Sequence, residues 1–237
     1  MSVRSFRKSN TLSNKTGGKM DEFTISKSFS WKGTPTEKVF SVCRMFGLTI
    51  DRLKERIKVH KCYLRIQQGD IVYINGPSGS GKTVLLKGLE KSIPPKDRIN
   101  LAEIELPTDK TVIECFEGSL LSCLQLLSTA GLNDCFCILN QPCNLSDGEK
   151  YRFRLAMAMA AKKKYIFADE FSSELDRITA ASISYKLRKF ANKTGTIFVL
   201  ASCHRDILLD LAPDILVTKD FSTVPAIVDY KDIRRKR

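Results

Sequence analysis

The stretch Gly76-Pro-Ser-Gly-Ser-Gly-Lys-Thr83 decides the fold of this 237-residue chain. It fits the pattern G-x-x-x-x-G-K-[ST] and follows an apolar run at residues 71–74, which has the length of a buried strand. Residues 82–91 then continue with helical spacing. A glycine-rich turn between a buried strand and a helix lets backbone N–H groups surround phosphates at the positive end of the helix. The stretch therefore predicts a site for the phosphates of a nucleotide.

Two side chains at the end of this loop have specific tasks in such a site. Lys82 is expected to neutralise the β- and γ-phosphate oxygens, and the Thr83 hydroxyl is expected to coordinate Mg²⁺. An ordinary glycine turn is the alternative, but it does not require the Lys-Thr pair. We therefore predict ATP and Mg²⁺ as cofactors, with the nucleotide bound by Gly76, Pro77, Ser78, Gly79, Ser80, Gly81, Lys82 and Thr83.

A second apolar run, at residues 165–168, ends in two adjacent carboxylates. Asp169 is expected to hold Mg²⁺ from its outer shell, and Glu170 is expected to orient and activate the attacking water. Neighbouring acids at a strand end are often solvated turn residues. The phosphate loop favours the functional interpretation, because bound phosphates need an acidic metal partner on a neighbouring strand.

A third motif, Leu145-Ser-Asp-Gly-Glu149, opens a helix and differs by two substitutions from the signature LSGGQ. Ser173-Glu-Leu-Asp176 and Ser202-Cys-His204 follow it in the chain. In these motifs and their order the sequence resembles the ATP-binding cassette (ABC) ATPases over roughly residues 37–220. The pattern Ser-x-x-Glu at Ser146 is also a capping box, and both interpretations can hold together.

The resemblance implies an α/β P-loop NTPase fold, an ABC-type ATPase core with a mostly parallel sheet and a short helical subdomain, that hydrolyses ATP to ADP and phosphate. It also implies a head-to-tail homodimer, in which Ser146 and Gly148 cap the γ-phosphate bound to the opposite subunit. By the same resemblance Glu170 and His204 are catalytic, and Asp176 communicates across the dimer. Taken alone, Asp176 reads as a helix N-cap and His204 as an ordinary histidine at a helix start.

Strands and helices alternate along most of the chain, which favours a parallel sheet flanked by helices. We predict an ABC-type ATPase domain at residues 21–230 with a helical subdomain at about 109–162. Strands are expected at residues 61–66, 71–74, 99–106, 165–168, 196–201 and 215–219, and helices at 82–91 and 176–192.

The net charge of +13 is concentrated in two tails, residues 1–20 and 231–237. We expect the first to be disordered and the second to be a basic C-terminal tail. Such charge attracts nucleic acid or an acidic protein partner, although solvated ends are the alternative. The tail cations are Arg4, Arg7, Lys8, Lys15, Lys19, Lys231, Arg234, Arg235, Lys236 and Arg237.

No apolar stretch is long enough to cross a bilayer, so a cytoplasmic chain without a membrane span is expected.

The sequence departs from the family at the Q-loop, where Leu106-Pro-Thr-Asp109 stands in place of a glutamine, with Thr108 or Asp109 as a substitute. Phe46 and Tyr63 are candidates for stacking on adenine.

The cysteines are expected to be buried free thiols, with a metal site as the alternative for Cys135, Cys137 and Cys143.

The residues of the motifs most resemble those of a soluble ABC branch whose members are often fused to predicted acetyltransferase domains. We expect any such domain to be a separate protein partner. The sequence favours a soluble switch that acts on nucleic acid or a partner protein. The alternative is the nucleotide-binding subunit of an ABC transporter.

Overall fold

The computed structural model describes residues 20–55 and 57–231. The disorder expected for residues 1–20 falls, except at Met20, outside the described residues, and so do all tail cations except Lys231. Lys231 does not behave as a tail cation: its ammonium forms an ion pair with the buried Asp70, 2.6 Å away. Lys231, the first cation of the expected basic C-terminal tail, therefore belongs to the folded domain.

A six-stranded sheet forms the centre of the molecule. Its strands are β3 (Ile71–Asn75), β4 (Arg98–Asn100), β5 (Tyr165–Ala168), β6 (Ile197–Ser202), β7 (Ile215–Thr218) and β8 (Ala226–Asp229). They lie in the order β4-β5-β6-β3-β7-β8. The pairs β4–β5, β5–β6, β6–β3 and β3–β7 are parallel, and β8 is antiparallel to β7. The mostly parallel α/β sheet expected from the sequence is thereby confirmed.

A separate antiparallel hairpin precedes this sheet. It consists of β1 (Asp21–Phe29) and β2 (Lys58–Ile66), which pair along their whole length from Asp21 opposite Ile66 to Phe29 opposite Lys58. The chain between them carries two helices, α1 (Glu37–Met45) and α2 (Ile50–Glu55). Because the two strands are in register, the hairpin returns residues near position 29 to the start of β2.

The remaining helices lie on the central sheet or in the middle third of the chain. Helix α3 (Lys82–Lys91) follows β3 directly. The middle third is helical as expected, and its helices end where β5 begins. These helices are α4 (Leu120–Thr129), α5 (Cys135–Ile138) and α6 (Asp147–Ala160), followed after β5 by α7 (Arg177–Thr194) and α8 (Leu208–Leu211).

Both faces of the central sheet are buried, and β3 shows how its side chains divide between them. Ile71 and Tyr73 pack with α6, α7 and the helical middle third, whereas Val72 and Ile74 pack with α3 and the hairpin. A strand that is covered on both faces has apolar residues at every position, which explains the apolar sequence of residues 71–74. This packing fixes the carboxyl end of β3, where the phosphate loop starts.

One predicted strand, at residues 99–106, is wrong in length. The strand β4 ends at Asn100, because the Asn100 side-chain oxygen accepts a 3.1 Å hydrogen bond from the backbone N–H of Ala102. This contact caps a short 3-10 helix, Leu101–Glu103. An asparagine that bonds its own backbone two residues on competes with a strand ladder.

Among the described residues, no helix combines the length and the apolarity that crossing a membrane requires.

Candidate functional site

The phosphate loop joins β3 to α3, and two of its glycines are required by the geometry. A Cβ atom at Gly76 would lie 1.8 Å from the backbone oxygen of Lys219, so no larger residue fits there. Gly81, the last residue before α3, has φ +101°, in the left-handed region that favours glycine. The loop is thus held in a conformation that leaves the first amides of α3 open to an anion.

Lys82 directs its charge across this loop. Its ammonium donates hydrogen bonds to the backbone oxygens of Gly76 at 2.9 Å and of Pro77 at 3.0 Å. Because of these contacts the Lys82 side chain lies over the phosphate loop and does not extend along the helix. The structure therefore places the Lys82 charge over the phosphate loop, and its contact with nucleotide phosphates stays a prediction.

A single cavity of about 430 Å³ brings the two predicted catalytic strands together. Its wall combines most of the phosphate loop with both carboxylates that follow β5 and with the end of β6. The lining residues are Ser78, Gly79, Gly81, Lys82, Thr83, Val84, Asp169, Glu170, Ser173, Ser202 and Cys203. The predicted signature residues Ser146 and Gly148 do not line it; they were expected to contact the nucleotide of the opposite subunit instead.

The donors in this cavity fit Mg²⁺. Thr83 supplies a hydroxyl and Asp169 a carboxylate, and Mg²⁺ is bound through one or two such oxygen ligands together with phosphates and waters. Asp169 also receives a 3.1 Å hydrogen bond from the backbone N–H of Glu170. That bond fixes the carboxylate at the strand end.

The backbone around the second carboxylate is strained. Glu170 has φ +50° and Ser172 has φ +65°, although neither residue is glycine. The segment is held in place by the backbone N–H of Phe171, which donates to the Ala201 oxygen at 2.8 Å, and by complete burial of the Phe171 ring. Strain of this kind is common at active sites, and here it exposes the Glu170 carboxylate at the cavity.

His204 follows β6, and its backbone is held by the strand that leads to the phosphate loop. The Tyr73 hydroxyl donates to the His204 carbonyl at 2.6 Å, and the Asn75 amide donates to the same oxygen at 2.9 Å. Arg205 donates to the side-chain oxygen of Asn75 at 2.7 Å. The His204 side chain is exposed, and Ser202 and Cys203 rather than His204 line the cavity.

The signature motif forms the N-terminus of α6 and contains the capping box that the sequence predicted. The Ser146 hydroxyl accepts from the Glu149 N–H at 3.4 Å, and Glu149 accepts from the Ser146 N–H at 2.8 Å. The Cys137 thiol also donates to Glu149, at 2.8 Å. The Cys137 and Ser146 hydrogen bonds lower the pKa of Glu149 to about 2, and burial, with Glu149 beside it, raises the pKa of Cys137 to about 11.

The segment Ser173–Asp176 packs against this signature. A Cβ atom at Gly148 would lie 3.1 Å from the backbone oxygen of Glu174, so the two motifs approach closely. Asp176 N-caps α7 by accepting from the Thr179 N–H at 3.0 Å, and hydrogen bonds from the Thr179 side chain and backbone lower the pKa of Asp176. The simpler interpretation of Asp176 is therefore realised, and its role in communication across a dimer stays a prediction.

Neither predicted adenine-stacking residue lines the cavity. Tyr63 faces away from the buried side of β2 and accepts a 3.2 Å hydrogen bond from Arg65, while the Phe46 ring is 74% exposed at the end of α1. A different aromatic, Phe29, lies near the loop: its ring centre is 6.0 Å from that of His60, whose ring contacts Gly81. Sequence reasoning missed Phe29 because β1 was not predicted.

The cysteines agree only in part with the expected buried thiols. All eight are free, and Cys43, Cys62 and Cys123 are buried. Cys135, Cys143 and Cys203 are exposed, since they lie in loops and a short helix at the surface. Among the described residues, no group of three or more His, Cys, Asp or Glu side chains is arranged to hold a metal ion. A metal site at Cys135, Cys137 and Cys143 is therefore not supported.

Comparison with known proteins agrees with this geometry. A family model described as ABC transporter matches residues 59–125, which include the phosphate loop and α3. The dimeric structure of a post-hydrolysis state of the ATP-binding cassette MJ0796, bound to ADP and phosphate, superposes with a TM-score of 0.62. The two chains are 18% identical, and the match covers 89% of this chain and 98% of that one. Fold and phosphate loop define the class: the chain has the ABC ATPase fold, and the ABC transporter family model matches the segment that contains its phosphate loop.

Two curated relatives are similar to the chain beyond the segment that the family model matches. Methionine import ATP-binding protein MetN 1 of Oceanobacillus iheyensis is 28% identical over 192 residues, which cover 65% of this chain and 56% of the relative. Aliphatic sulfonates import ATP-binding protein SsuB 1 of Paracoccus denitrificans is 25% identical over 232 residues, covering 86% of this chain and 92% of the relative. The chain thus spans little more than half of MetN 1 and nearly all of SsuB 1.

Both relatives are described as import ATP-binding proteins. This similarity favours the transporter-subunit alternative over the nucleic-acid switch. The expected similarity to the branch fused to acetyltransferase domains is not seen among them.

Proposed function

We propose that two copies of this chain bind and hydrolyse Mg-ATP in a head-to-tail homodimer. One observation carries the proposal: the cavity contains the phosphate loop, Asp169 and Glu170, but neither Ser146 nor Gly148. Both signature residues lie at the N-terminus of α6, where exposed backbone amides attract an anion. A second copy, turned head to tail, would supply these residues to the γ-phosphate.

The residues of the cavity would divide the chemistry as follows. Lys82 and the loop amides bind the phosphates, and Thr83 and Asp169 would hold Mg²⁺, which supplies positive charge to the β- and γ-phosphate oxygens when bound. Glu170 orients the attacking water and accepts its proton. His204 contacts the γ-phosphate from the end of β6. Phe29 provides a ring on which adenine stacks.

ATP should drive this dimer together, because each bound nucleotide adds contacts to both copies. The variant Glu170→Gln accumulates the ATP-bound state, so multi-angle light scattering should show its mass doubling with Mg-ATP. The matched variant Glu170→Gln with Ser146→Arg should stay monomeric. An unchanged mass for Glu170→Gln with and without Mg-ATP, over a range of protein concentrations, would count against the shared site.

We further propose that the dimer serves as the ATP-binding subunit of an import complex in the membrane. The relatives described as import ATP-binding proteins support this assignment. The helical middle third also presents large apolar side chains to solvent: Leu120, Leu121 and Leu139 are each 66% exposed and Phe136 is 81% exposed. Several large exposed apolar side chains within residues 120–139 favour a surface that binds another protein.

Membrane association tests the import assignment. In cells that produce a tagged chain, a share of it should sediment with membranes and be released by detergent together with integral membrane proteins. Leu120→Ser with Leu121→Ser and Phe136→Ser should abolish this share and keep ATP hydrolysis. Leu209→Ser, at a residue that is 93% exposed on α8, is the matched control. Equal sedimentation of all variants would exclude this surface as the docking site.

Nucleic-acid binding is a second candidate function, favoured by the charge of the tails. Each phosphate contact releases condensed counterions, so the affinity for duplex DNA should fall with salt at a log–log slope of about −0.9 per contact. Removal of residues 1–20 and 232–237 should flatten that slope and keep ATP hydrolysis. A full-length protein that binds neither DNA nor RNA at low salt excludes this candidate.

A further inference from the structure

His60 lies at the junction between the phosphate loop and the ring of Phe29. It is only 9% exposed on β2, and its ring rests against the last glycine of the loop. A Cβ atom at Gly81 would lie 2.4 Å from His60 Cε1, 2.7 Å from Nδ1 and 3.2 Å from Nε2. The ring centre of Phe29 lies 6.0 Å from that of His60, with an angle of 71° between the ring planes, which is an edge-to-face contact. The imidazole therefore contacts both the phosphate loop and the aromatic ring.

The nitrogen atom Nδ1 of His60 is buried and has no hydrogen-bond partner in the structure. A buried polar atom without a partner costs free energy, and such atoms are rare in folded proteins. The charged groups around the ring are cationic: Lys58 lies on the same strand, Lys27 is opposite it on β1, and Lys219 follows β7. Lys82, from α3, reaches over the same loop. The surroundings favour an anionic ligand.

A nucleotide with its phosphates in the loop and its base on Phe29 has to place its sugar and α-phosphate between the two. His60 contacts the residues at both ends of this interval, Gly81 and Phe29. We propose that His60 contacts the nucleotide, donating a ring N–H to the ribose–α-phosphate portion and so helping to select a nucleotide over free polyphosphate. The proposal rests on the nucleotide site proposed above, but concerns a part of the ligand that the phosphate-loop motif does not bind.

Binding of ADP tests this directly, since ADP contains the ribose and the α-phosphate and lacks the γ-phosphate. His60→Phe keeps an aromatic ring against Gly81 and removes both nitrogens, and we expect it to weaken ADP binding about 10-fold in calorimetry. His60→Asn and His60→Gln each keep an amide N–H near the position of one ring nitrogen, and at least one of them should retain most of the parental affinity. Tripolyphosphate should bind the parent and His60→Phe equally.

Each alternative result has a definite meaning. Equal ADP affinity of the parent and His60→Phe, or an equal loss in the Phe, Asn and Gln variants, overturns the contact and leaves His60 as a packing residue. A parent that binds no ADP overturns the nucleotide site as well. Melting of the ligand-free variants separates a folding defect from lost binding, because a misfolded variant also loses tripolyphosphate.

A second measurement uses the low histidine content, since His60 and His204 are the chain's 2 histidines. Burial lowers the pKa of His60, and Lys219 and Lys58 lower it further. A phosphate beside the ring stabilises the protonated form, so ADP should raise this pKa in an imidazole NMR titration. The spectrum of His204→Ala identifies the His60 signals. A His60 titration curve that ADP leaves unchanged contradicts the contact.

Discussion

The Tyr73 hydroxyl donates a 2.6 Å hydrogen bond to the backbone oxygen of His204, and thereby joins the strand before the phosphate loop to the loop after β6. Tyr73 is fully buried, and burial raises the pKa of its hydroxyl to about 12, so it remains a donor at physiological pH. The position of His204 is consequently set by the same strand that positions the phosphates.

Tyr73→Phe should slow ATP turnover without weakening ATP binding. The variant removes the hydrogen bond from the Tyr73 hydroxyl to the His204 oxygen and leaves the 2.9 Å hydrogen bond from Asn75 in place. We expect kcat to fall about fivefold with little change in KM, because a small misplacement of a catalytic group affects the reacting geometry. Stability should fall by about 1 kcal/mol. Tyr185→Phe, at a half-exposed ring on α7, is the control. A parental kcat in Tyr73→Phe removes this positioning role.

Lys82→Ala and Glu170→Gln should separate binding from hydrolysis. Lys82 provides the charge that meets the phosphates, so Lys82→Ala should lose binding of a fluorescent ATP analogue. Glu170 acts on the water, so Glu170→Gln should bind ATP and release no phosphate. Lys87→Ala, an exposed position on the same helix, should match the parent in both assays. If Glu170→Gln hydrolyses ATP at the parental rate, Glu170 is not the base.

Glu149→Ala should destabilise the chain by about 1 kcal/mol at neutral pH, because it removes one half of the capping box of α6. The pKa of Glu149 is about 2 in the folded chain and near 4.5 as the ordinary value. The carboxylate therefore stabilises the fold above about pH 4.5, and this contribution is lost as the pH falls towards 2. Urea denaturation at several pH values, with Glu103→Ala as control, measures it. A pH-independent difference between parent and variant would contradict the assignment.

His60 should make the ligand-free protein sensitive to mild acid. Its pKa is lowered in the folded chain, so the unfolded chain binds the proton more readily, and stability is lost as the pH falls below the ordinary value of 6.5. The melting temperature should therefore drop less between pH 7 and pH 5.5 in His60→Asn than in the parent. An identical drop in both proteins would show that His60 titrates normally.

The parts of the site that depend on adjacent residues could be predicted from the sequence. The phosphate loop, the carboxylates after β5 and the cap at Ser146 each follow from a short local pattern, and the structure places the first two in one cavity. Such patterns work because strand, turn and helix termini have fixed geometries.

Contacts between distant segments could not be predicted in this way. Phe29 reaches the loop only because β1 pairs with β2 across an insertion that contains α1 and α2. The Lys219 oxygen that excludes any side chain at Gly76 comes from the far end of the chain. The ion pair of Asp70 with Lys231 likewise converts a residue of the expected tail into part of the fold.

Complementation between two inactive variants tests the shared site most directly. Lys82→Ala cannot bind the phosphates, and Ser146→Arg cannot cap the nucleotide of its partner, so each protein alone should be inactive. A mixed dimer contains one site with an intact Lys82 from one copy and an intact Ser146 from the other. We therefore expect that mixing the two proteins restores part of the parental ATP hydrolysis. If the mixture stays as inactive as each protein alone, while both variants remain folded and exchange subunits, the nucleotide is not shared between two copies.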